Sequence, residues 1–172
     1  MSQRFLAALL LAGLVGAASA PAQQPITEWG QIYTTAHQPA ARDAGDLRRQ
    51  PIGVRPLDDK PADVQLARRF TDALRRAGHA VATAQAQLVL SFETEIERVP
   101  QTLQRGITDT RGRVKFQLVA TLDDTRSGHR LWTGQASYLG APNQEAPTFA
   151  QLAQLLVDEI GRTSRMRGFT LE

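Results

Sequence analysis

The stretch QLVLSFETEIER, Gln87–Arg98, and the stretch RVKFQLVATLD, Arg113–Asp123, decide the fold. In the first, Leu88, Leu90, Phe92, Thr94 and Ile96 alternate with Val89, Ser91, Glu93, Glu95 and Glu97. In the second, Val114, Phe116, Leu118, Ala120 and Leu122 alternate with Arg113, Lys115, Gln117, Val119 and Thr121. A period of two puts successive side chains on opposite faces of a strand, so each run has one face for a core and one for water. Pairing the runs sets Lys115 or Arg113 against Glu97 on the water face, where opposite charges favour each other.

Working outward, DDTRSG, Asp123–Gly128, is a turn, and RLWTGQASYL, Arg130–Leu139, is a third alternating strand. A tightly closed hairpin sets Trp132 against Ala120, Gly134 against Leu118, Ala136 against Phe116 and Tyr138 against Val114, with large meeting small at the first three pairs. Upstream, PIGVRPL, Pro51–Leu57, makes a short strand that Pro51 and Pro56 confine to a sheet edge. Asp63 caps a helix with Leu66, Phe70, Ala73, Leu74 and Ala77 on one face, and Gly78 supplies the left-handed stop. Downstream, Thr148 and Gln151 resemble a capping box for a helix with an apolar stripe of Phe149, Leu152, Leu156 and Ile160. The expected architecture is an α+β two-layer sandwich: strand, helix, three strands, helix, a mostly antiparallel sheet with two helices on one face.

The ends of the chain read differently. Arg4, the apolar run Phe5–Val15 and the small residues Gly16–Ala20 follow the order of a secretory signal, spanning residues 1–22. Pro21 hinders a cut after Ala20, which leaves Ala18 and Ala22 as alternative ends, and the run is short of the ~20 residues that a bilayer core needs. Residues 23–50, rich in Pro, Ala and Gln without a sustained period, read as an extended flexible arm, dispensable for folding. Residues 51–163 form one α+β domain, and residues 164–172 read as a frayed tail. The chain has 172 residues, a net charge of +3 and no cysteine, which excludes disulfides, thiolate metal sites and a lipid-modified cysteine anchor. The expected localisation is periplasmic or secreted, with no transmembrane span after cleavage.

Nothing in the order of residues assembles an active site. His37, His79 and His129 are scattered without metal-ligand spacing and read as solvated surface residues at element ends. Ser127 and His129 flank Gly128 in a turn without the strand-to-helix elbow that exposes a nucleophile. Glu93, Glu95 and Glu97 stand about 7 Å apart on one strand face, a spacing open to a glycosidase pair or a cation, but opposite Lys115 and Arg113 they read as an ordinary charged surface. No cofactor is expected. The candidate partner-binding residues are Trp29 and Tyr33, aromatics on the arm that serve as anchors unless they tuck onto their own domain, and Arg68, Arg69, Arg75 and Arg76 around Asp72 on one helix face. Without aromatic interleaving these arginines do not suggest nucleic acid; an envelope protein or an anionic envelope component is the expected partner.

The segments PIGVRPL, RRFTDALRRAGHAV, AQLVLSFETEI, VKFQLVATLDDTRSGHRLWTG and FAQLAQLLVDEIG together resemble the small N-terminal α/β domain of the periplasmic TolB proteins and related uncharacterised bacterial envelope proteins. The resemblance spans Pro51–Gly161 and implies a non-catalytic binding or assembly module of the cell envelope. It stops short of the β-propeller that follows in TolB, so partner binding borne by the propeller does not carry over. The alternative is an unrecognised periplasmic hydrolase or carbohydrate-binding protein. A pocket of convergent ionisable groups favours the alternative, and a filled helix–sheet interface favours the module.

Overall fold

A computed structural model of the chain describes residues 30–37, 47–98 and 112–171. Its elements are β1 (Gly30–Ala36), β2 (Ile52–Pro56), α1 (Pro61–Arg76), β3 (Leu88–Arg98), β4 (Val114–Asp124), β5 (Arg130–Gly140), α2 (Glu145–Asp158) and β6 (Ser164–Phe169). They build a six-stranded sheet in the order β2-β3-β4-β5-β1-β6. Only β2 and β3 pair in parallel, the arrangement that the intervening α1 permits; the other pairs are antiparallel.

The alternating runs behave as their period dictates. Leu88, Leu90, Phe92, Phe116, Leu118, Ala120 and Leu122 are all at most 1% exposed. Beneath them α1 supplies Phe70 and Leu74, and α2 supplies Leu152 and Leu156. Phe70 meets Phe92 with ring centroids 4.9 Å apart, and Phe149 meets Phe116 edge-on at 5.6 Å, both within the range where aromatic pairs add to area burial. On the other face Glu97 stands opposite Lys115 with 3.8 Å between Oε2 and Nζ. The proline-bounded strand β2 is an edge, as its missing N–H groups require. Gly78, at φ +82, ends α1; its N–H and that of His79 donate back to Arg75 and Leu74 carbonyls, a Schellman closure.

Four expectations are corrected. Residues 30–36, expected in a flexible arm, form β1, an interior strand between β5 and β6. Its inward positions are Gly30, Ile32, Thr34 and Ala36, so small and polar residues hide the alternation. They are small for a reason: a Cβ at Gly30 would come within 2.2 Å of the Phe169 ring. Thr34, fully buried, donates to the Arg162 carbonyl at 3.0 Å. Residues 164–169, expected in a frayed tail, form the edge strand β6, whose inward Arg167 hides the pattern by pairing with Glu159 at 2.7 Å. The segment 1–22, Trp29 and the rest of the arm up to residue 29 lie outside the described residues.

The hairpin register differs by two residues from the expected one: Trp132 faces Leu122, Gly134 faces Ala120, Ala136 faces Leu118 and Tyr138 faces Phe116. The turn sets this shift. Asp124 accepts from the Arg126 N–H at 2.8 Å and the Ser127 hydroxyl at 2.9 Å, and Gly128 takes φ +70. A register irregularity at Leu122/Asp123 completes the shift. A slip of two keeps every side chain on its face, so the core is unchanged, but large now meets small only at Leu118 and Ala136, while Trp132 faces Leu122 and Gly134 faces Ala120. The indole of Trp132 instead occupies the space above Gly134, where a Cβ would stand 2.3 Å from its ring. The helix starts also differ. Asp63 is not a cap: α1 begins at Pro61 after Lys60, which makes no side-chain cap bond. Likewise α2 begins at Glu145, ahead of Thr148, because a 3-10 turn over Pro142–Gln144 leads into it and Pro147 is tolerated in a first turn that needs no N–H.

Two outcomes follow from this packing. Trp132→Ala should lower the unfolding free energy by about 3–5 kcal/mol, measured by denaturant melts, because the fully buried ring leaves a cavity. Deleting residues 30–36 should abolish cooperative unfolding, because the deletion removes the strand that joins β5 to β6.

Candidate functional site

The described residues present two surfaces and a cleft as candidates for function. Both helices lie on the same side of the sheet, and no helix among the described residues covers the other side. On that open side two cross-strand rows run over the central strands: Val119, Gln135 and Tyr33, then Thr121, Thr133 and Thr35. Both rows are uncharged. Tyr33 is 47% exposed and its hydroxyl accepts from Thr35 Oγ1 at 2.9 Å. Toward the β2 edge the same side turns acidic with Glu93, Glu95 and Glu97, all exposed.

On the helix side, Arg68, Arg69, Arg75 and Arg76 are exposed on the outer face of α1. Asp72 engages Arg75 at 3.5 Å rather than Arg68, and its carbonyl accepts from Arg76 Nε at 3.4 Å. Exposed pairs of this kind contribute at most about 1 kcal/mol, so the face stays basic. The structure therefore places Tyr33 and the four arginines on opposite sides of the sheet and does not bring them together.

A cleft of about 700 Å³ opens where the first turns of α1 and α2 come together. Its walls include Asp63, Leu66, Arg69, Thr94, Glu145 and Phe149. Asp63 is 4% exposed, and Thr94 Oγ1 donates to its Oδ1 at 2.9 Å. Helix first turns carry orphan N–H groups and partial positive charge, which suits the carboxylates of Asp63 and Glu145 there. The cleft thus combines a fixed carboxylate, a second carboxylate, a guanidinium and apolar walls, an arrangement able to hold a small polar ligand. Sequence reasoning missed it because its members are far apart in the chain. The one available signal was Thr94, a hydroxyl at an inward position of β3.

His79 also departs from expectation. It is 9% exposed, not a solvated residue, because the closure at Gly78 turns it inward. Its Nδ1 has no hydrogen-bond partner. Burial, with help from the Arg48 guanidinium, pushes its pKa below the ordinary imidazole value against the opposing effect of a hydrogen bond to the Leu47 carbonyl. His37 lies 3.2 Å from Thr133 Oγ1, and His129 is exposed beside the hairpin turn. Among the described residues no three His, Asp or Glu side chains gather to hold a metal ion, and no helix is long and apolar enough to cross a membrane.

No family model and no curated protein matches the chain. Solved structures do match. The PelC L103M dodecamer from Paraburkholderia phytofirmans is 17% identical with a TM-score of 0.51, over 78% of this chain and 99% of that one. A PDZ domain protein from Parabacteroides distasonis is 14% identical with a TM-score of 0.57, over 83% of this chain but 38% of that one. Lipoprotein GNA1162 from Neisseria meningitidis is 19% identical with a TM-score of 0.45, over 64% of this chain and 97% of that one. The first two likenesses establish a shared two-layer fold.

The state of His79 has a pH consequence. A base whose folded pKa is depressed keeps its full stability above the unfolded value of about 6.5 and loses stability as pH falls below it, until the folded pKa is passed. Arg48, Arg162 and Asp158 line the same small pocket as His79. The unfolding free energy of the parent should therefore fall more steeply between pH 7 and pH 5 than that of His79→Gln, which has no charge to gain; denaturant melts at each pH measure the difference.

Proposed function

We propose that this chain is an exported, non-catalytic binding or assembly module of the bacterial cell envelope. The observation that carries the reading is the bare side of the sheet. Among the described residues the two helices cover one side of the six-stranded sheet and none covers the other, whose middle is neutral, with an exposed tyrosine. Flat neutral surfaces rich in Tyr, Thr and Gln suit protein contact better than catalysis, which needs a concave, water-excluding site. The signal-like residues 1–22 support export. The shared fold with a protein solved as a dodecamer, covering almost all of that protein, supports assembly, and the resemblance to the N-terminal domain of TolB supports an envelope setting.

A second reading, a periplasmic carbohydrate-binding protein or hydrolase, draws on the cleft with Asp63, Arg69 and Glu145. In that reading Asp63 and Arg69 hold a polar ligand against Phe149. Asp63→Asn then weakens oligosaccharide binding and leaves contacts of the open face untouched.

The test is made in the host. Fractionated cells should yield the chain in the envelope fraction, its intact mass short by about 20 N-terminal residues. A photo-crosslinker at position 135 on the open face should capture another polypeptide, whereas one at position 150 beside the cleft should not. Recovery of a chain retaining Met1 from the cytosolic fraction overturns export, and crosslinking at position 150 alone moves the function to the cleft.

A further inference from the structure

Two oppositely charged surfaces lie back to back on one edge of the molecule. Thr94 points inward from β3 to bond Asp63 in the first turn of α1, so α1 packs beneath the same segment of β3 that carries Glu93 and Glu95 outward. One side of this edge therefore presents Glu93, Glu95 and Glu97, and the other presents Arg68, Arg69, Arg75 and Arg76. Among the described residues neither Glu93 nor Glu95 makes an ion pair, and neither does Arg68 or Arg69; Glu97 has only the 3.8 Å contact to Lys115. After Asp58, Glu93 also lies near enough to Lys60 to help raise its pKa, but no ion pair among the described residues closes on Glu93 or Glu95, so both carboxylates stay available to a partner.

We propose that these surfaces bind each other between copies of this chain, head to tail, with the acidic strip of one copy on the arginine face of the next. This deepens the assembly reading above and rests on it. Three observations support it. The charges are complementary, and β3 and α1 are rigid elements that hold them in place. The lengths also match: Arg68 to Arg76 spans about 12 Å along a helix rising 1.5 Å per residue, and Glu93 to Glu97 spans about 13 Å along a strand rising 3.3 Å per residue. Finally, the strip borders the neutral rows of the open side, so contact at the charged edge brings uncharged surface with it and supplies area that an exposed ion pair alone does not. A two-fold contact through either surface would set like charge against like. Because the two surfaces face opposite ways across the sheet, the contact that brings the signs together is heterologous, and such a contact propagates until it closes a ring or extends as a filament.

The experiment uses the purified chain and measures mass by light scattering and native mass spectrometry. In ~20 mM salt the parent should exceed monomer mass, and in ~500 mM salt, where screening acts within about 4 Å, it should dissociate. Glu93→Arg with Glu95→Arg, or Arg68→Glu with Arg75→Glu, should each weaken self-association at least about tenfold, because like charges then face each other. A 1:1 mixture of the two variants should assemble again, because the native arginine face of the first meets the native acidic strip of the second and the two reversed surfaces also carry opposite charge. The variant carrying all four reversals should assemble again. Circular dichroism melts check that each variant is folded, and Glu93→Gln with Glu95→Gln replaces the first pair if it is not. A parent that stays monomeric at ~100 µM in low salt overturns the proposal, as does assembly that neither reversal disturbs. Binding of the arginine face to anionic vesicles by a monomeric chain also overturns it. In each of these cases the envelope reading is still judged separately, by fractionation and by crosslinking at position 135.

Discussion

The Trp132 indole takes the space above Gly134 that any side chain would fill, and Leu156 of α2 closes on the same point, 2.8 Å from where a Cβ would stand. This contact sets how near α2 lies to β5. That separation in turn lets Phe149 reach Phe116 edge-on and brings the first turn of α2 beside that of α1, where the cleft forms. Close packing leaves little slack for such a large ring, so the whole helix layer is referred to one glycine.

A core on one side of a sheet demands a second surface on the other, and among the described residues no helix covers that surface. Ordinary exposed strands carry Lys and Glu across their width; here charge is confined to the β3 margin and the strand ends, and the central rows carry Val, Thr, Gln and Tyr. The confinement produces an electrical asymmetry that composition conceals. A net charge of +3 is small, yet α1 gathers four arginines outward while β3 gathers three glutamates on the opposite side. Separation of sign across the thickness of a domain gives orientation to any encounter, whatever the total charge.

How much of this was legible in the sequence depends on what occupied the inward positions. β3 and β4 could be read because Leu, Phe and Val alternate there with polar residues, β5 because Trp132, Ala136 and Tyr138 alternate with Thr133, Gln135 and Ser137, and both helices from their apolar stripes. β1 and β6 could not, because their inward places hold Gly, Thr, Ala, Ser and Arg, each accommodated by a partner remote in sequence: Phe169 over Gly30, Arg162 beside Thr34, Glu159 beside Arg167. The hairpin register failed for a local reason, the side-chain bonds of Asp124 that lengthen the turn. Of the candidate site residues, the arginines and Tyr33 are exposed as a partner surface requires, but the cleft has no local signature, since Asp63, Thr94 and Glu145 meet only through the tertiary fold.

The sheet edges bear on which surface is left for association. Open strands invite pairing with other chains through free N–H and C=O groups. At β2 this route is obstructed, because Pro51 and Pro56 bracket only four residues, and the Ile52 N–H and carbonyl are already bonded to Ala80 and Ala82. At the other edge β6 is short, and the ion pair of its exposed Arg167 with the buried Glu159 ties the strand to its own helix layer. With both edges poorly suited to strand addition, contact between folded molecules falls to the broad sides. There the uncharged rows supply area without the desolvation penalty of buried ions, and the flanking charge supplies direction. A protein built this way separates the two requirements of an interface, and a substitution in the neutral rows should act on how long a contact lasts while one in the charged margins acts on how fast it forms.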